Sequence, residues 1–340
     1  MKAIKYIFFL LLIAIIALAI YIAVQPSEFS VTRTRTINAP AEVIFNKVNN
    51  FKSWESWSSW VEKEPSIKIT LPEQTIGEGA SYTWEGKEGI GTMKTVETNA
   101  NKSITQVMQV GEYPKSDVAW KFTPNTNGST DVTWSISGKD LPFDFKAYTA
   151  FMGGMEELIG PDYERSLEKL DSIVINDMKK YNIVVDSETT QHSGGYYIYN
   201  TTATTFQDFQ SKMATMLPEV INYALKNNIT MAGAPYILYH KWDEENNAVM
   251  FSCCVPTTAK VITTDSNILT GQLEPFKAVK TTLTGDYSNL KEAWEKATIT
   301  IAKSGLEQDE DGPNIEAYLN SPINTPNPAN LKTEIYIAVK

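Results

Sequence analysis

The C-terminal half of the chain takes its fold from residues 233–256, which read GAPYILYHKWDEENNAVMFSCCVP. Two apolar runs, rich in aromatic and β-branched residues, flank the polar segment DEENN, and this pattern predicts two antiparallel strands joined by a turn. Before them lie another strand-like run, GYYIYNTT at 195–202, and a segment whose apolar residues recur every three or four positions from Phe206 to Ala224. Because that spacing is typical of an amphipathic helix, the predicted order is β-α-β-β.

The same order of elements recurs between residue 276 and the C-terminus. The second copy consists of strand FKAVKTTLTGDY, a helix with apolar residues from Leu290 to Ile301, and the strands NIEAYLN and LKTEIYIAV. Two β-α-β-β units in tandem are therefore predicted, and the helix of each unit should cover one face of its strands.

The two copies differ at an informative position. Sliding one over the other aligns Tyr239 with Tyr318 and Ile237 with Glu316, so the second copy carries a carboxylate where the first is aliphatic. Side chains alternate between the two faces of a strand. This alternation predicts that one set of apolar residues lies beneath the helices: Ile315, Ala317, Leu319, Ile335 and Ile337.

The opposite face is predicted to form a groove with an acidic floor. Glu316 and Tyr318 lie on it with Glu334 and Tyr336, and counting inward from the loop SPINTPNPAN brings Glu316 roughly opposite Glu334. Two facing carboxylates repel, so one pKa should be raised unless a cation lies between them. A lipophilic amine would supply that charge, and nearby rings would add cation-π attraction of about 0.5 to 2 kcal/mol each. The alternative is a Glu316 that is solvated at a sheet edge or paired with Lys332.

The segment before this repeat predicts a different mixed domain. It opens with the strand FSVTRTRTI at Phe29 and holds six further strand-like runs between residues 66 and 138. A long helical stretch over 145–174 closes it, with a kink or an interruption expected at Gly160-Pro161. Three tryptophans follow the first helix, and they either fill a core or cover a cavity for an apolar ligand: Trp54, Trp57 and Trp60.

The N-terminus carries a continuous apolar run, IFFLLLIAIIALAIYIAV over Ile7–Val24, preceded by Lys2 and Lys5. At about 1.5 Å per residue, a helix of this length reaches roughly the thickness of the hydrocarbon core of a bilayer. The positive-inside rule then leaves Lys2 in the cytoplasm and everything after the run outside it, in the periplasm of a Gram-negative cell. The alternative is a cleaved signal peptide, for which Ala17-Leu18-Ala19 is a suitable site.

The composition argues against several kinds of site. A formal net charge of -10, without a basic stripe, argues against nucleic acid as a partner. The only cysteines, Cys253 and Cys254, are adjacent and should point to opposite faces of a strand, so we expect packing rather than a disulfide or a metal pair. The only histidines, His192 and His240, indicate neither a histidine-rich metal centre nor a serine-histidine triad. We predict no metal and no cofactor.

Two resemblances accompany these patterns. The segments INAPAEVIFNKVNNFKSWESWSSW at 37–60 and PDYERSLEKLDSIV at 161–174 resemble the START and polyketide-cyclase-like superfamily, SRPBCC. This superfamily has an antiparallel sheet that grips one long helix, and it includes lipid carriers, cyclases and scaffolds, so the resemblance implies a fold rather than one function. The segment at 233–256, with GDYSNLKEAWEKA, IEAYLNSP and LKTEIYIAVK, resembles the GyrI-like effector-binding domain, which occurs fused to AraC- and MerR-type regulators.

The predicted fold class is therefore α+β, with three parts. Residues 1–27 form a transmembrane anchor, residues 28–176 an SRPBCC domain with a helix-grip antiparallel sheet, and residues 182–340 a tandem β-α-β-β domain of the GyrI-like type. The usual helix-turn-helix partner of the GyrI-like domain is replaced here by the SRPBCC-like segment and the anchor, so a DNA-bound activator is not expected.

The second resemblance also implies a function. GyrI-like domains bind lipophilic, often cationic small molecules in an aromatic groove with a glutamate as counter-charge, and Glu316 matches that glutamate by its place in the E-x-Y strand. Tyr318 and Tyr239 match aromatic positions, while Glu334 and Tyr336 lie in the closing strand. Binding rather than catalysis is thus predicted. The alternatives are a hydrolase of reactive small molecules that uses Glu316 and Tyr318, and an envelope scaffold or sensor without catalysis.

Overall fold

The computed structural model describes residues 2–87 and 89–340, which divide into two compact units, Met1–Asp177 and Met178–Lys340. The first unit begins with helix α1 (Lys2–Ala23), whose segment Ala3–Ala23 is long and apolar enough to cross a membrane. Its large apolar side chains are exposed along its length, and only Ile22 near its end is buried. The apolar side chains of α1 are therefore almost entirely left uncovered by the rest of the protein.

The rest of the first unit is a seven-stranded antiparallel sheet with helices on one side. Its strands lie in the order β1-β7-β6-β5-β4-β3-β2. They are β1 (Phe29–Ile37), β2 (Lys68–Thr70), β3 (Ser81–Gly86), β4 (Gly89–Asn99), β5 (Ser103–Val110), β6 (Ser116–Pro124) and β7 (Thr130–Gly138). The helices are α2 (Ala41–Val48), α3 (Trp54–Trp57), α4 (Ser59–Lys63), α5 (Phe143–Phe151) and α6 (Met155–Met178), with a short 3₁₀ helix at Phe51–Ser53.

The closing helical stretch is interrupted seven residues earlier than the sequence suggested. α5 and α6 are separated at Gly153 and Gly154, which have φ angles of 88° and 94°, a region that glycine adopts without steric cost. Of the predicted kink or interruption at Gly160-Pro161, the interruption is wrong, because α6 runs through both residues. Gly160 has a different role, since a Cβ there would lie 2.2 Å from the guanidinium of Arg33.

Aromatic rings fill the space between this sheet and its helices. Trp57 is fully buried, and Trp134 stacks on Trp120 at 4.3 Å and on Tyr163 of α6 at 3.7 Å between ring centroids. Trp54 is 5% exposed and packs edge-on against Trp134. Trp54 and Trp57 thus belong to an aromatic core, while Trp60 is partly exposed and packs edge-on against Trp134.

The second unit is a nine-stranded antiparallel sheet with two helices. Eight strands lie in the order β13-β10-β12-β11-β15-β16-β14-β8, and β9 pairs with β14 beside them. The strands are β8 (Asn182–Val185), β9 (Thr190–His192), β10 (Gly195–Thr205), β11 (Tyr236–Asp243), β12 (Ala248–Thr257), β13 (Leu269–Leu273), β14 (Phe276–Thr284), β15 (Asn314–Tyr318) and β16 (Lys332–Ala338). The helices are α7 (Phe206–Lys226) and α8 (Leu290–Lys303), with 3₁₀ helices at Tyr287–Asn289 and Pro328–Asn330.

The predicted tandem repeat is confirmed. β10-α7-β11-β12 forms the first copy and β14-α8-β15-β16 the second, and the two copies join where β11 pairs with β15. In that central pairing Ile237 is the direct partner of Glu316. The position at which the two copies differ therefore lies at the junction between them.

The predicted assignment of the sheet faces is wrong for the strand that carries Glu316. β15 pairs with β16 so that Glu316 faces Ile335 and Ala317 faces Glu334. Cross-strand partners share a face, so Glu316 lies on the same side as Ile335, which packs in the core of α8. The loop between the strands was counted one residue out of register, and such a slip reverses the face of every side chain.

Candidate ligand-binding groove

Glu316 is placed at the seam between the two helices. Its strand, β15, is central in the sheet, and its side chain points to the face that α7 and α8 cover. Trp294 reaches it from α8, while Met213 approaches from α7, with its sulfur 3.3 Å from the Tyr318 hydroxyl. Both helices therefore contribute to the immediate surroundings of one carboxylate.

Three uncharged donors surround this carboxylate. The indole N–H of Trp294 donates to Oε2 at 2.8 Å, and the hydroxyl of Tyr239 lies 3.4 Å from the same oxygen. The hydroxyl of Tyr318 donates to Oε1 in a short hydrogen bond. The residues that the structure describes place no lysine, arginine or histidine in an ion pair with Glu316, so the predicted alternative of a pair with Lys332 is not found.

Burial governs the electrostatics of the groove. Glu316 is only 3% exposed, and the loss of hydration raises its pKa above the ordinary 4.5, although the hydrogen bonds from Tyr318, Trp294 and Tyr239 partly offset that rise. The pKa values of Tyr239 and Tyr318 are raised well above 10 by burial and by the nearby carboxylate. Both tyrosines are therefore neutral donors at physiological pH.

Aromatic rings extend from the carboxylate towards the surface. Tyr239 packs edge-on against Trp294, with the ring centroids 5.5 Å apart, and lies 5.9 Å from Phe209 of α7. At the outer end, Trp242 is 52% exposed and stacks on Phe206 at 4.5 Å. A buried acid thus lies beneath a cluster of aromatic rings, the outermost of which is exposed.

Sequence patterns identified only part of this set. Glu316, Tyr318 and Tyr239 were predicted, and the structure brings the three together. For Trp294 and Phe209 the sequence predicts only a place on the apolar faces of the two helices, because helical spacing alone does not distinguish a core residue from one beside a binding site. The pairing of β11 with β15 carries the missing information: Glu316 faces the buried Ile237 and therefore lies beneath the helices.

Comparison with known families agrees with these two units. Residues 28–174 match the family described as polyketide cyclase / dehydrase and lipid transport, and residues 195–340 match the GyrI-like small molecule binding domain. Two separate segments of the chain therefore match the models of two different families. Glu316 and its aromatic neighbours lie in the GyrI-like domain.

Several solved structures are similar to parts of the chain. The C-terminal domain of EcmrR is 16% identical, covers 47% of this chain and 98% of its own, and has a TM-score of 0.40. The integron cassette protein VCH_CASS2 of Vibrio cholerae is 17% identical, with 47% and 99% coverage and a TM-score of 0.33. Ara h 8.0201 is 12% identical, with 44% and 99% coverage and a TM-score of 0.33. A search of curated proteins found no significant match.

The opposite face of the GyrI-like sheet carries the other predicted acid. Glu334 accepts a hydrogen bond from Tyr336 at 2.7 Å and lies 3.5 Å from the ammonium of Lys280. His192 packs against Tyr336 with ring centroids 5.0 Å apart. Glu334 and Tyr336 were predicted to line the same groove as Glu316, and the sheet separates them from it, because Glu334 is the cross-strand partner of Ala317 rather than of Glu316.

The residues that the structure describes form no metal site, and both cysteines are buried. Within residues 2–87 and 89–340, no group of three or more His, Cys, Asp or Glu side chains is arranged to hold a metal ion. Cys253 and Cys254 are buried and free, and they pack in the cores of opposite faces of the GyrI-like sheet. Burial raises the pKa of Cys253 to about 12, so its thiol is neutral at physiological pH.

Proposed function

We propose that this protein is a membrane-anchored receptor for a lipophilic cation, which binds beside Glu316 in the groove between α7 and α8. In this proposal residues 1–27 anchor the chain, 28–176 form the SRPBCC domain and 182–340 form the domain that binds the ligand. The family match to a small-molecule binding domain supports the ligand, and the charge of the ligand is our inference from the groove.

The observation that carries the proposal is a buried carboxylate without a buried cation. Ionising Glu316 in its dehydrated position is costly, and the three donors around it are all neutral. A positively charged ligand would supply the missing counter-charge and would therefore gain an attraction that water has weakened little. A cation that binds beside Glu316 would therefore offset the cost of ionising this buried carboxylate.

The rings above Glu316 indicate the rest of the ligand. Trp294 donates to the carboxylate and packs against Tyr239, and Phe209 lies 5.9 Å from Tyr239, so three aromatic rings are clustered near the acid. Cations over such faces gain about 0.5 to 2 kcal/mol per ring, and apolar ligand groups gain from burial against them. A delocalised or bulky organic cation satisfies both requirements, whereas a small hydrated ion satisfies only the first.

The N-terminal anchor would determine on which side of the membrane the protein binds its ligand. α1 has the length and apolar surface of a membrane span, and Lys5 precedes most of its apolar residues. By the positive-inside rule the N-terminus lies in the cytoplasm and both domains lie outside it. Nucleic acid is then no partner, a prediction that rests on the net charge of -10 as well.

The experiment compares two probes of similar shape that differ in charge. Tetraphenylphosphonium and neutral triphenylphosphine oxide are titrated by calorimetry into the full chain in detergent. The proposal predicts at least about tenfold tighter binding of the phosphonium, equivalent to 1.4 kcal/mol. Equal affinity for both probes, or no binding of the cation, would contradict it.

A hydrolase is the second candidate, favoured by one observation. Glu316 has a raised pKa and lies within hydrogen-bond distance of two tyrosine hydroxyls, which is the arrangement that a general acid with two positioning donors requires. Incubation with a reactive epoxide or aziridine, followed by mass spectrometry, tests it. Product formed by the wild-type protein and abolished in Glu316→Gln would favour the hydrolase over the receptor.

A further inference from the structure

Helix α5 of the first unit exposes several large apolar side chains. None of its residues is buried, and its exposed half carries large apolar side chains. The exposures are 51% for Phe143, 48% for Tyr148, 69% for Phe151 and 53% for the adjacent Met152. A surface helix normally turns large apolar side chains to the core, so these four exposed residues depart from the usual arrangement.

The exposed apolar residues are concentrated rather than scattered. Scattered single residues of this kind are normal on protein surfaces, but four within ten positions on one side of one helix form a patch. On the packed side, Phe145 contacts Tyr113 with ring centroids 5.0 Å apart, and Lys146 is turned inward. The patch is therefore the outer surface of a helix that is held in place from beneath.

The position of this patch is set by α1. The ammonium of Lys146 donates to the carbonyl of Ala23 at 3.2 Å, which is the last residue of α1. The backbone N–H of Leu141, just before α5, donates to the carbonyl of Ser27 at 3.0 Å. Both contacts hold α5 at the point where the apolar helix ends and the first domain begins.

We propose that α5 is an interfacial membrane helix, with Phe143, Tyr148, Phe151 and Met152 inserted at the head-group level of the bilayer that α1 spans. The inference rests on the membrane anchor of the proposed function and is independent of the ligand. Aromatic side chains are enriched at this level, and amphipathic helices lie there with the apolar face about 5 to 10 Å into the boundary with the acyl chains. The helix thereby fixes how the first domain faces the membrane.

One charge on the exposed half limits the depth. Asp144 lies among the apolar residues of this face and is exposed, with its carboxylate 3.4 Å from the hydroxyl of Tyr113. A carboxylate is costly in hydrocarbon, so the helix stays at the head groups and does not sink into the acyl chains. A shallow position of α5 also agrees with its contact at Ala23, the last residue of α1, because the end of a membrane-spanning helix lies near the head groups.

The experiment measures depth at single labelled positions in the full chain, reconstituted in phosphatidylcholine vesicles. An environment-sensitive fluorophore is attached to Phe151→Cys, to Met152→Cys as a second position on the patch, and to Ala14→Cys within α1. Ser172→Cys is the matched control, since it is an exposed position on α6, roughly 25 Å along the helix from Met155. The two native cysteines are buried and contribute little labelling.

The proposal predicts blue-shifted emission and quenching by brominated lipid at positions 151 and 152, strongest for bromines near the head groups, with water-like emission at 172. Quenching at position 14 without quenching at 151 and 152 would overturn the proposal and leave the anchor intact. An absence of quenching at all three would overturn the anchor as well. A blue shift at 151 that brominated lipid does not quench would assign the patch to a protein partner and would also overturn the proposal.

Discussion

Two glutamates on neighbouring strands of one sheet have opposite surroundings. Glu334 points to one face, where its carboxylate has Lys280 at 3.5 Å and the hydroxyl of Tyr336 at 2.7 Å. Glu316 points to the other face, is 3% exposed, and receives hydrogen bonds from Trp294 and two tyrosines but no cation. Glu334 thus has a lysine of the protein as its counter-charge, whereas Glu316 has only neutral hydrogen-bond donors.

The contrast between the two carboxylates indicates which of them could hold a cationic ligand. Both acids belong to strands with an alternating apolar pattern, so the sequence gives each the same appearance. A carboxylate with its own lysine has little to gain from an incoming cation, while one held by neutral donors in a dry seam has much to gain. Substitutions at the two acids and at their neighbours should therefore differ in the size of their effects.

The largest effect should come from giving the first copy of the repeat the charge of the second. Ile237 is fully buried and is the direct cross-strand partner of Glu316, so Ile237→Glu would place two carboxylates side by side in the seam. We expect the free energy of unfolding to fall by about 3 to 5 kcal/mol, measured by chemical denaturation at neutral pH. Ile237→Gln, which adds polarity without charge, is the control and should lose less. Equal losses would mean that charge repulsion does not distinguish this position.

Ligand affinity should separate the two acids next. Glu316→Gln removes the charge and keeps the shape, and we expect tetraphenylphosphonium to bind about 30-fold more weakly, equivalent to about 2 kcal/mol. Glu334→Gln lies on the other face and should change the affinity by less than about threefold. Calorimetric titration of both variants provides the measurement. A larger loss in Glu334→Gln would place the ligand on the wrong face for this account.

The free energy of unfolding should change in opposite directions in the variants Glu316→Gln and Glu334→Gln. Because the pKa of Glu316 is raised above 4.5 on folding, the folded state retains its proton more tightly than the unfolded chain, and stability falls as pH rises through that range. Glu316→Gln should therefore stabilise the ligand-free protein at neutral pH by about 1 kcal/mol and lose the advantage below pH 4.5. Glu334→Gln deprives Lys280 of a partner and should destabilise by about 0.5 to 1 kcal/mol. Thermal unfolding at several pH values measures both, and a stability gain in neither variant would be evidence against a strained Glu316.

The smallest effect is expected from single hydroxyls. Tyr318→Phe removes the hydrogen bond that contributes most to lowering the pKa of Glu316, so that pKa should rise further and cation affinity near neutral pH should fall about threefold. Tyr336→Phe makes the matching change beside Glu334 and should leave the affinity unchanged. The affinities are compared by calorimetry as a function of pH. Identical pH profiles for Tyr318→Phe and wild type would remove Tyr318 from the site.

Much of the fold was predictable because its signals are local. Apolar spacing at three and four positions located α7 and α8, and the hairpin at 233–256 located β11 and β12. The break at Gly153 and Gly154 was missed in favour of Gly160-Pro161. The sequence does not display that Arg33, 127 positions away, occupies the space that a side chain at 160 would need.

The site was predictable in its members but not in its geometry. The repeat singled out Glu316 correctly as the point of difference, and Tyr239 and Tyr318 were identified with it. Which face they share depends on the register of β15 on β16, and one residue of loop length reverses the answer. Trp294 could not be assigned to the site, because its contact with Glu316 depends on how α8 packs across the sheet.

The most direct test of the account is the number of protons released when a cation binds. If Glu316 is protonated in its buried position and ionised beside the ligand, then calorimetry in buffers of different ionisation enthalpy should show proton release by the wild-type protein in the pH range just above the ordinary carboxyl pKa of 4.5. The release should shrink as pH rises, because more of Glu316 is then already ionised, and it should be absent in Glu316→Gln. Cation binding without proton release throughout this range, or an equal release in Glu316→Gln, would contradict the claim that Glu316 is an unneutralised acid awaiting a cation.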